Sequence, residues 1–335
     1  MGKPIRVAIN GFGRIGRNLF KILISQPDME VVAINEIEDA PTLAHLLKYD
    51  SIHGIFNHSI SASENAICVD GKKFPILNFK HPEEIPWNLY NADIVVEATG
   101  KFKTRAELIP HLKKGVQQVV LSVPPQDDSI KMIVLGVNDH LLTGNEDIIS
   151  NASCTTNNAA PMLKVVDDLL GIEQAYITTV HSYTSDQTLH DRPHKDWRRA
   201  RAAGQSIIPT TTGAAKAMTK IFPHLSDVIG GCGIRVPVAN GSLTDMTLNV
   251  KRSTSIEEIN DAFLQASETS FKGIISYTED PIVSVDILGN PYSCIFDSQM
   301  TSVIGGKLVK IIGWYDNEIG YSNRLLNLIS LINKK

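Results

Sequence analysis

The run IRVAINGFGRIGR, Ile5 to Arg17, followed by EVVAINE, Glu30 to Glu36, decides the fold of this chain. Ile5 to Asn10 is short, apolar and β-rich. It stops at Gly11, Gly13 and Gly16, which are spaced G-x-G-x-x-G. Gly16 to Ser25 then carries Leu19, Phe20, Ile22, Leu23 and Ile24, a helix-like pattern for packing on a sheet. Glu30 to Asn35 reads as a second buried strand. Glu36 ends it, 20 residues beyond Gly16. Strand, glycine turn, helix, strand and acid at that spacing predict a dinucleotide site. Gly11 permits a tight turn, Gly13 lets a pyrophosphate approach the backbone, and Gly16 lets helix and strand pack closely. The helix N-terminus attracts the pyrophosphate charge. Glu36 accepts hydrogen bonds from ribose hydroxyls and repels a 2′-phosphate, which predicts NAD over NADP.

Outward from this unit the alternation continues. Asp93 to Ala98, Gln118 to Ser122 and Lys131 to Gly136 read as further parallel strands with helical signal among them. The expected class is α/β, a doubly wound parallel sheet with right-handed crossovers. The pattern changes near residue 150. Cys154 to Leu170 reads as one helix with Ser153 as N-cap. Ala175 to His181, Ile234 to Val238, Ser242 to Val250, Val283 to Ile287 and Leu308 to Gly313 supply strands for a second, α+β domain with a mostly antiparallel sheet. Ser182 to Gln205 is long, polar and without apolar periodicity, which marks a functional or disordered segment. Glu318 to Ile332 is amphipathic and helical. The expected division is an NAD-binding domain over 1–153, a catalytic domain over 154–317, and a tail helix over 318–335 whose apolar face needs cover on the first domain.

Composition narrows the function classes. The 335 residues are 43% hydrophobic and 20% charged, enough for two packed cores and unlike a disordered chain. Lys and Arg number 32 against 36 Asp and Glu, a formal charge of −4. A general nucleic-acid or anionic-membrane binder would show a basic excess. The four cysteines, Cys68, Cys154, Cys232 and Cys294, are far apart. They predict neither a zinc site nor a disulfide framework, so no metal is expected. No apolar run approaches the roughly 18 residues of a membrane helix, and no leader-like segment precedes the first strand. The expectation is a cytoplasmic protein.

Cys154 is the candidate nucleophile. It stands at a predicted helix N-terminus, where the dipole and free N–H groups favour a thiolate and can also bind an oxyanion or phosphate. A thiolate needs a base, and ten histidines compete. His181 ends a strand and opens the polar segment that also holds Thr184, Asp186, His194, Arg198, Arg199 and Arg201. Spacing alone does not place His181 beside Cys154. The arginine cluster also fits a solvated face, but its place in a structureless segment favours anion binding or a subunit contact.

The motifs together resemble the glyceraldehyde-3-phosphate dehydrogenase family from end to end. The carrying segments are INGFGRIGR (Ile9 to Arg17), LLKYDSIHG (Leu46 to Gly54), SNASCTTN (Ser150 to Asn157), HSYTSDQ (His181 to Gln187), RRARAA (Arg198 to Ala203), PTTTGAAKA (Pro209 to Ala217), RVP (Arg235 to Pro237) and WYDNEIGYSNR (Trp314 to Arg324). The resemblance implies Cys154 as nucleophile and His181 as its base. It implies Thr184 and Arg235 at the substrate's phosphate, and Ser153, Thr155, Thr212 and Gly213 at the attacking inorganic phosphate, with Arg199 adding charge. It implies Arg14 and Ile15 at the pyrophosphate, and Glu36, Lys80, Ser122 and Asn317 completing NAD binding, Asn317 at the nicotinamide amide. A homotetramer follows by resemblance too, with the polar segment lining a neighbour's cofactor pocket. Pro193 stands where NADP-using members tend to carry serine.

Three positions depart from the common pattern. Glu36 replaces a frequent Asp and looks like the sister group, erythrose-4-phosphate dehydrogenase, whereas Thr184 keeps the hydroxyl used for a triose phosphate. Asn158 replaces a second cysteine four residues after the nucleophile. Lys80 replaces a frequent arginine. The implied reaction is phosphorylating oxidation of a triose phosphate through a cysteine thioester. The alternatives are the tetrose phosphate reaction and, in another class, an NAD-sensing binding or adhesion protein.

Overall fold

The computed structural model describes residues 3–333, which divide into two compact units. The first holds residues 3–133, His140–Ala152 and 322–333; the second holds Val134–Asp139 and Ser153–Tyr321.

The first unit is built on a nine-stranded sheet. Its parallel centre places the strand Ile5–Asn10 beside Met29–Asn35 on one side and Ile94–Glu97 on the other. Gln118–Leu121, Ile148–Ser150 and the short Lys131–Met132 extend one edge. Lys72–Leu77 extends the other, and Ala66–Val69 and Ile60–Ser63 then follow antiparallel. Val7, Ile9, Val95 and Val96 are sealed from water because the sheet carries packing on both faces. Trp87, also fully buried, packs with Ala8, Ala33 and Val95. Each such side chain contributes about 1.5–3 kcal/mol of burial. Leu325, Leu328 and Ile329 of the helix Ile319–Ile332 are fully buried, and this stretch belongs to the first unit.

The second unit is an eight-stranded, mostly antiparallel sheet with helices packed on it. Ile172–Ser182 is the organising strand. It runs parallel to Ile229–Val236, which sets His181 beside Arg235 and Ser182 beside Val236. It runs antiparallel to Ser242–Val250, which in turn pairs Ser242 with Tyr315 of Leu308–Tyr315. These registers together gather His181, Ser182, Arg235, Ser242 and Tyr315 at one end of the sheet. The 17-residue helix Cys154–Leu170 packs on it.

Two expected strands differ. Val283–Ile287 alternates like a strand but forms a turn: Asp286 accepts the Val283 N–H at 2.7 Å, and Val283 and Val285 are exposed. Of Lys131 to Gly136 only Lys131–Met132 is strand. Asn138 and Asp139 side chains take the Val134 and Gly136 N–H groups at 2.8 Å each, and Gly136 has φ 78°. Aspartate and asparagine satisfy the backbone locally in both places, so no ladder partner is needed. Among the described residues, no helix is long and apolar enough to cross a membrane.

Candidate active site

The glycine turn sits in the first unit. A Cβ on Gly11, at φ 97°, would lie 2.6 Å from the Thr99 backbone nitrogen, and one on Gly16 would lie 2.1 Å from the Gly11 carbonyl oxygen. A Cβ on Gly13 would meet nothing within 4 Å. The turn is therefore crowded inside and open outside, the form a pyrophosphate needs. A cleft beside it is walled by Gly11, Gly13, Asn35, Glu36, Lys80 and Thr99. Glu36 accepts the Phe12 N–H at 2.7 Å and the Ile37 N–H at 2.8 Å, so the acid also holds the turn in shape. Arg14, Ile15, Gly16 and Ser122 are not part of this wall. The Arg14 guanidinium pairs with Asp50 at 2.9 Å, and that cation with two backbone N–H groups holds the Asp50 carboxyl far below its ordinary range despite burial. Ser122 is buried, with its N–H on the Glu97 carbonyl at 3.0 Å.

Behind the turn lies a buried polar chain that the sequence did not announce. Glu97 and His111 are fully buried. Trp87 Nε1–H donates to His111 Nδ1 at 2.9 Å, which leaves the His111 proton on Nε2, 3.3 Å from Glu97. Glu97 also accepts from the Asn10 amide at 2.5 Å, the Thr99 N–H at 2.9 Å and the Thr99 hydroxyl. Asn35 then joins Asn10 to the backbone of Phe79. Four donors thus meet the two Glu97 oxygens, which offsets the cost of burying so polar a group.

The reactive residues lie in the second unit. Ser153 caps the Cys154 helix, its Oγ accepting the Thr156 N–H at 3.1 Å. Cys154 Sγ lies 3.4 Å from His181 Nε2. His181 Nδ1 is 2.7 Å from the Ser182 carbonyl, and Arg235 Nη1 reaches the same carbonyl at 3.1 Å and Nδ1 at 2.5 Å. The carbonyl only accepts and the guanidinium only donates, so the two press Nδ1 in opposite senses; with its proton given to the carbonyl, Nε2 turns a lone pair toward sulfur. Burial first, then the Arg235 charge, lowers His181 from 6.5 to about 3. Burial raises the Cys154 thiol, opposed by Arg235 and by the Thr155 N–H and hydroxyl. The resting pair is a neutral thiol against a neutral imidazole, a base with its lone pair free. Cys294 is buried without such partners, and its thiol is pushed well up.

The other anticipated residues are placed as follows. Thr184 donates its hydroxyl to Asp186, and Arg199 bonds Asp186 at 2.9 Å and Thr210 at 3.0 Å. The Arg199 charge is thus already shared, while Arg199, Arg235 and the Thr184 hydroxyl keep the Asp186 carboxyl low against its burial. Thr212 caps the helix Gly213–Ile221 through the Ala214 N–H at 3.2 Å. Thr155 Oγ1 bonds the Tyr315 hydroxyl at 2.9 Å, and Tyr315 also bonds Thr179 at 2.9 Å and stands edge-on to His181. Asn317 Oδ1 accepts from Ser182 Oγ, Ser242 Oγ and the Gly241 N–H. Sequence reasoning did not single out Tyr315, Ser182 or Ser242. Tyr315 and Ser182 lie inside quoted motifs, beside residues that draw the eye first; Ser242 carries no local signal.

Comparison with known proteins agrees with this geometry. Residues 5–105 match the family described as glyceraldehyde 3-phosphate dehydrogenase, NAD binding domain, and residues 153–317 match its C-terminal domain. The chain is 52% identical over 326 residues to glyceraldehyde-3-phosphate dehydrogenase 2 of Streptomyces avermitilis, covering 97% of each chain. It is 48% identical to glyceraldehyde-3-phosphate dehydrogenase 2 of Bacillus subtilis, covering 97% of this chain and 96% of that one. It is 47% identical to glyceraldehyde-3-phosphate dehydrogenase of Geobacillus stearothermophilus, covering 99% of both.

Proposed function

The chain belongs to the glyceraldehyde-3-phosphate dehydrogenase family and is an NAD-dependent oxidoreductase, and from that premise we propose that it oxidises D-glyceraldehyde 3-phosphate to 1,3-bisphosphoglycerate with inorganic phosphate. The observation that carries the proposal is the 3.4 Å approach of His181 Nε2 to Cys154 Sγ at a capped helix N-terminus. His181 takes the thiol proton as sulfur attacks the aldehyde carbon and passes it to the carbonyl oxygen, giving a hemithioacetal. Its Nε2, free again, takes that hydroxyl proton back as hydride leaves the carbon and a thioester forms on Cys154. Bound NAD supplies the hydride acceptor. Phosphate oxygen then attacks the thioester carbon, and the acyl phosphate leaves with Sγ released as thiolate.

Gly11, Gly13, Arg14, Ile15 and Gly16 hold the pyrophosphate, Arg14 and Ile15 through backbone N–H groups. Glu36 and Lys80 hold the adenosine side, Ser122 adds a further NAD contact, and Asn317 takes the nicotinamide carboxamide. Arg235 and Thr184 hold the substrate's phosphate; Ser153, Thr155, Thr212 and Gly213 hold the attacking phosphate, with Arg199 nearby. The protein works in the cytoplasm as a homotetramer. Trp197 and Leu189 of the polar segment are 87% and 82% exposed, apolar surface that a second copy covers.

The test follows NADH formation with glyceraldehyde 3-phosphate and erythrose 4-phosphate, each with and without inorganic phosphate. Phosphate-dependent turnover favouring the triose is expected. Phosphate-independent turnover favouring the tetrose would replace this reading with the one Glu36 suggests. Cys154→Ser abolishes turnover and keeps NAD binding.

A further inference from the structure

We infer that Ser242, Gly241 and Ser182 form a lock that fixes the side-chain amide of Asn317 with its NH2 outward, so the site donates to the cofactor's carboxamide and does not accept from it. The inference rests on the reading of Asn317 as the nicotinamide contact and adds three positioning residues to it.

Asn317 is 7% exposed, and its Oδ1 meets three donors: Ser182 Oγ at 2.9 Å, Ser242 Oγ at 2.9 Å and Gly241 N at 3.2 Å. Hydroxyls can reverse, but a backbone N–H cannot. Flipping the amide would set Nδ2 against the Gly241 N–H, donor facing donor. Ser242 has a second constraint. Its Oγ accepts the Ser182 N–H at 3.1 Å, so its own proton is directed to Asn317. Among the described residues, Asn317 Nδ2 makes no hydrogen bond. The flip state is therefore set by the fold, and both free protons of the amide face outward.

Nicotinamide carries a carboxamide that can rotate, offering either C=O or NH2. A fixed donor selects its C=O. That choice would set the rotation of the carboxamide, and a firmly held donor would anchor the group on one side of the site and so oppose turning of the ring about its glycosidic bond. Ser182 joins this lock to the base, because its carbonyl orients His181 and its hydroxyl orients Asn317. One residue thus serves hydride acceptor and proton acceptor together.

The experiment titrates NAD and its 3-acetylpyridine analogue, which keeps the carbonyl and lacks the NH2, into the full protein. The wild type binds the two within about threefold, since the bond lost is not one the site makes. Ser242→Ala raises the Kd for both about tenfold, one hydrogen bond's worth of orientation. Deuteride transfer from 1-deuterated substrate then labels both faces of C4 where the wild type labels one. Ser242→Thr keeps the hydroxyl and restores both readouts. Asn317→Asp suits the same three donors but presents only acceptors, and it raises the Kd for NAD roughly a hundredfold. Iodoacetamide reacts with Cys154 at the wild-type rate in the Ser242 variants, which shows the site folded.

A wild type that discriminates strongly against the analogue overturns the inference, as does a Ser242→Ala variant that matches wild type in Kd and stereochemistry. If Asn317→Asp weakens NAD while Ser242→Ala does not, the lock fails and the reading of Asn317 stands. If neither matters, both fall.

Discussion

His181 makes this protein lose stability in mild acid, by an amount the structure sets. Its imidazole is 5% exposed, and burial with the Arg235 charge lowers its pKa from 6.5 to about 3. The unfolded chain binds a proton at this histidine below about pH 6.5, while the folded chain declines it until about pH 3. Stability from this group is complete above the unfolded value and drains away as pH falls toward the folded one. At pH 5 the unfolded imidazole lies 1.5 units below its ordinary pKa. At 1.36 kcal/mol per unit, the penalty is about 2 kcal/mol. The assay is urea unfolding at one protein concentration, at pH 7.5 and pH 5.0, for wild type and His181→Asn. Asparagine keeps a donor for the Ser182 carbonyl and cannot titrate. The wild type should lose about 2 kcal/mol more than the variant on going to pH 5. Equal losses would refute the reasoning, because they would mean that the folded imidazole takes its proton as readily as the unfolded one.

Three further outcomes follow from the first unit. Gly16→Ala forces a Cβ to within 2.1 Å of the Gly11 carbonyl oxygen, so the turn must open; NAD affinity falls at least about tenfold and stability by about 2–4 kcal/mol, read by titration and by denaturation. Glu36→Gln turns an NH2 toward the backbone donors of Phe12 or Ile37; the KM for NAD rises about tenfold while the iodoacetamide rate at Cys154 stays unchanged. Glu97→Gln sets a donor among the donors of Asn10, Thr99 and His111 in a fully buried place; denaturation should show a loss of about 1–3 kcal/mol.

The Rossmann half of the molecule was legible where sequence pattern and tertiary demand agree. Ile5–Asn10 and Met29–Asn35 are strands because their apolar runs lie inside a parallel sheet covered on both faces. Ala66–Val69 and Lys72–Leu77 escaped notice, since both are short and partly exposed and the second opens on two lysines and contains Pro75. Val283–Ile287 shows the opposite failure: its alternation is genuine, yet Asp286 closes a turn before any strand can pair. At the active site, Cys154 could be read from its place at a helix N-terminus. Its distance to His181 could not, because a two-strand register and a helix packed across it set that distance. Ser182 and Ser242 were invisible for a related reason. Their role depends on bonds that span 135 and 75 residues of chain, which neither the motif around Ser182 nor the strand that Ser242 opens reveals.

The placement of the helix Ile319–Ile332 bears on how the chain is made. Its buried leucines complete the unit that begins at the first strand, while residues 153–321 build the other. During synthesis the first sheet emerges early and then waits for cover. At 5–20 residues per second, the stretch from residue 152, where the sheet of the first unit is complete, to residue 322 takes roughly 8–35 s to elongate. For that interval the apolar surface destined for Leu325, Leu328 and Ile329 stands open, and the nascent chain is a substrate for holding chaperones. Vectorial folding therefore ends with the first unit, the one whose sequence begins it.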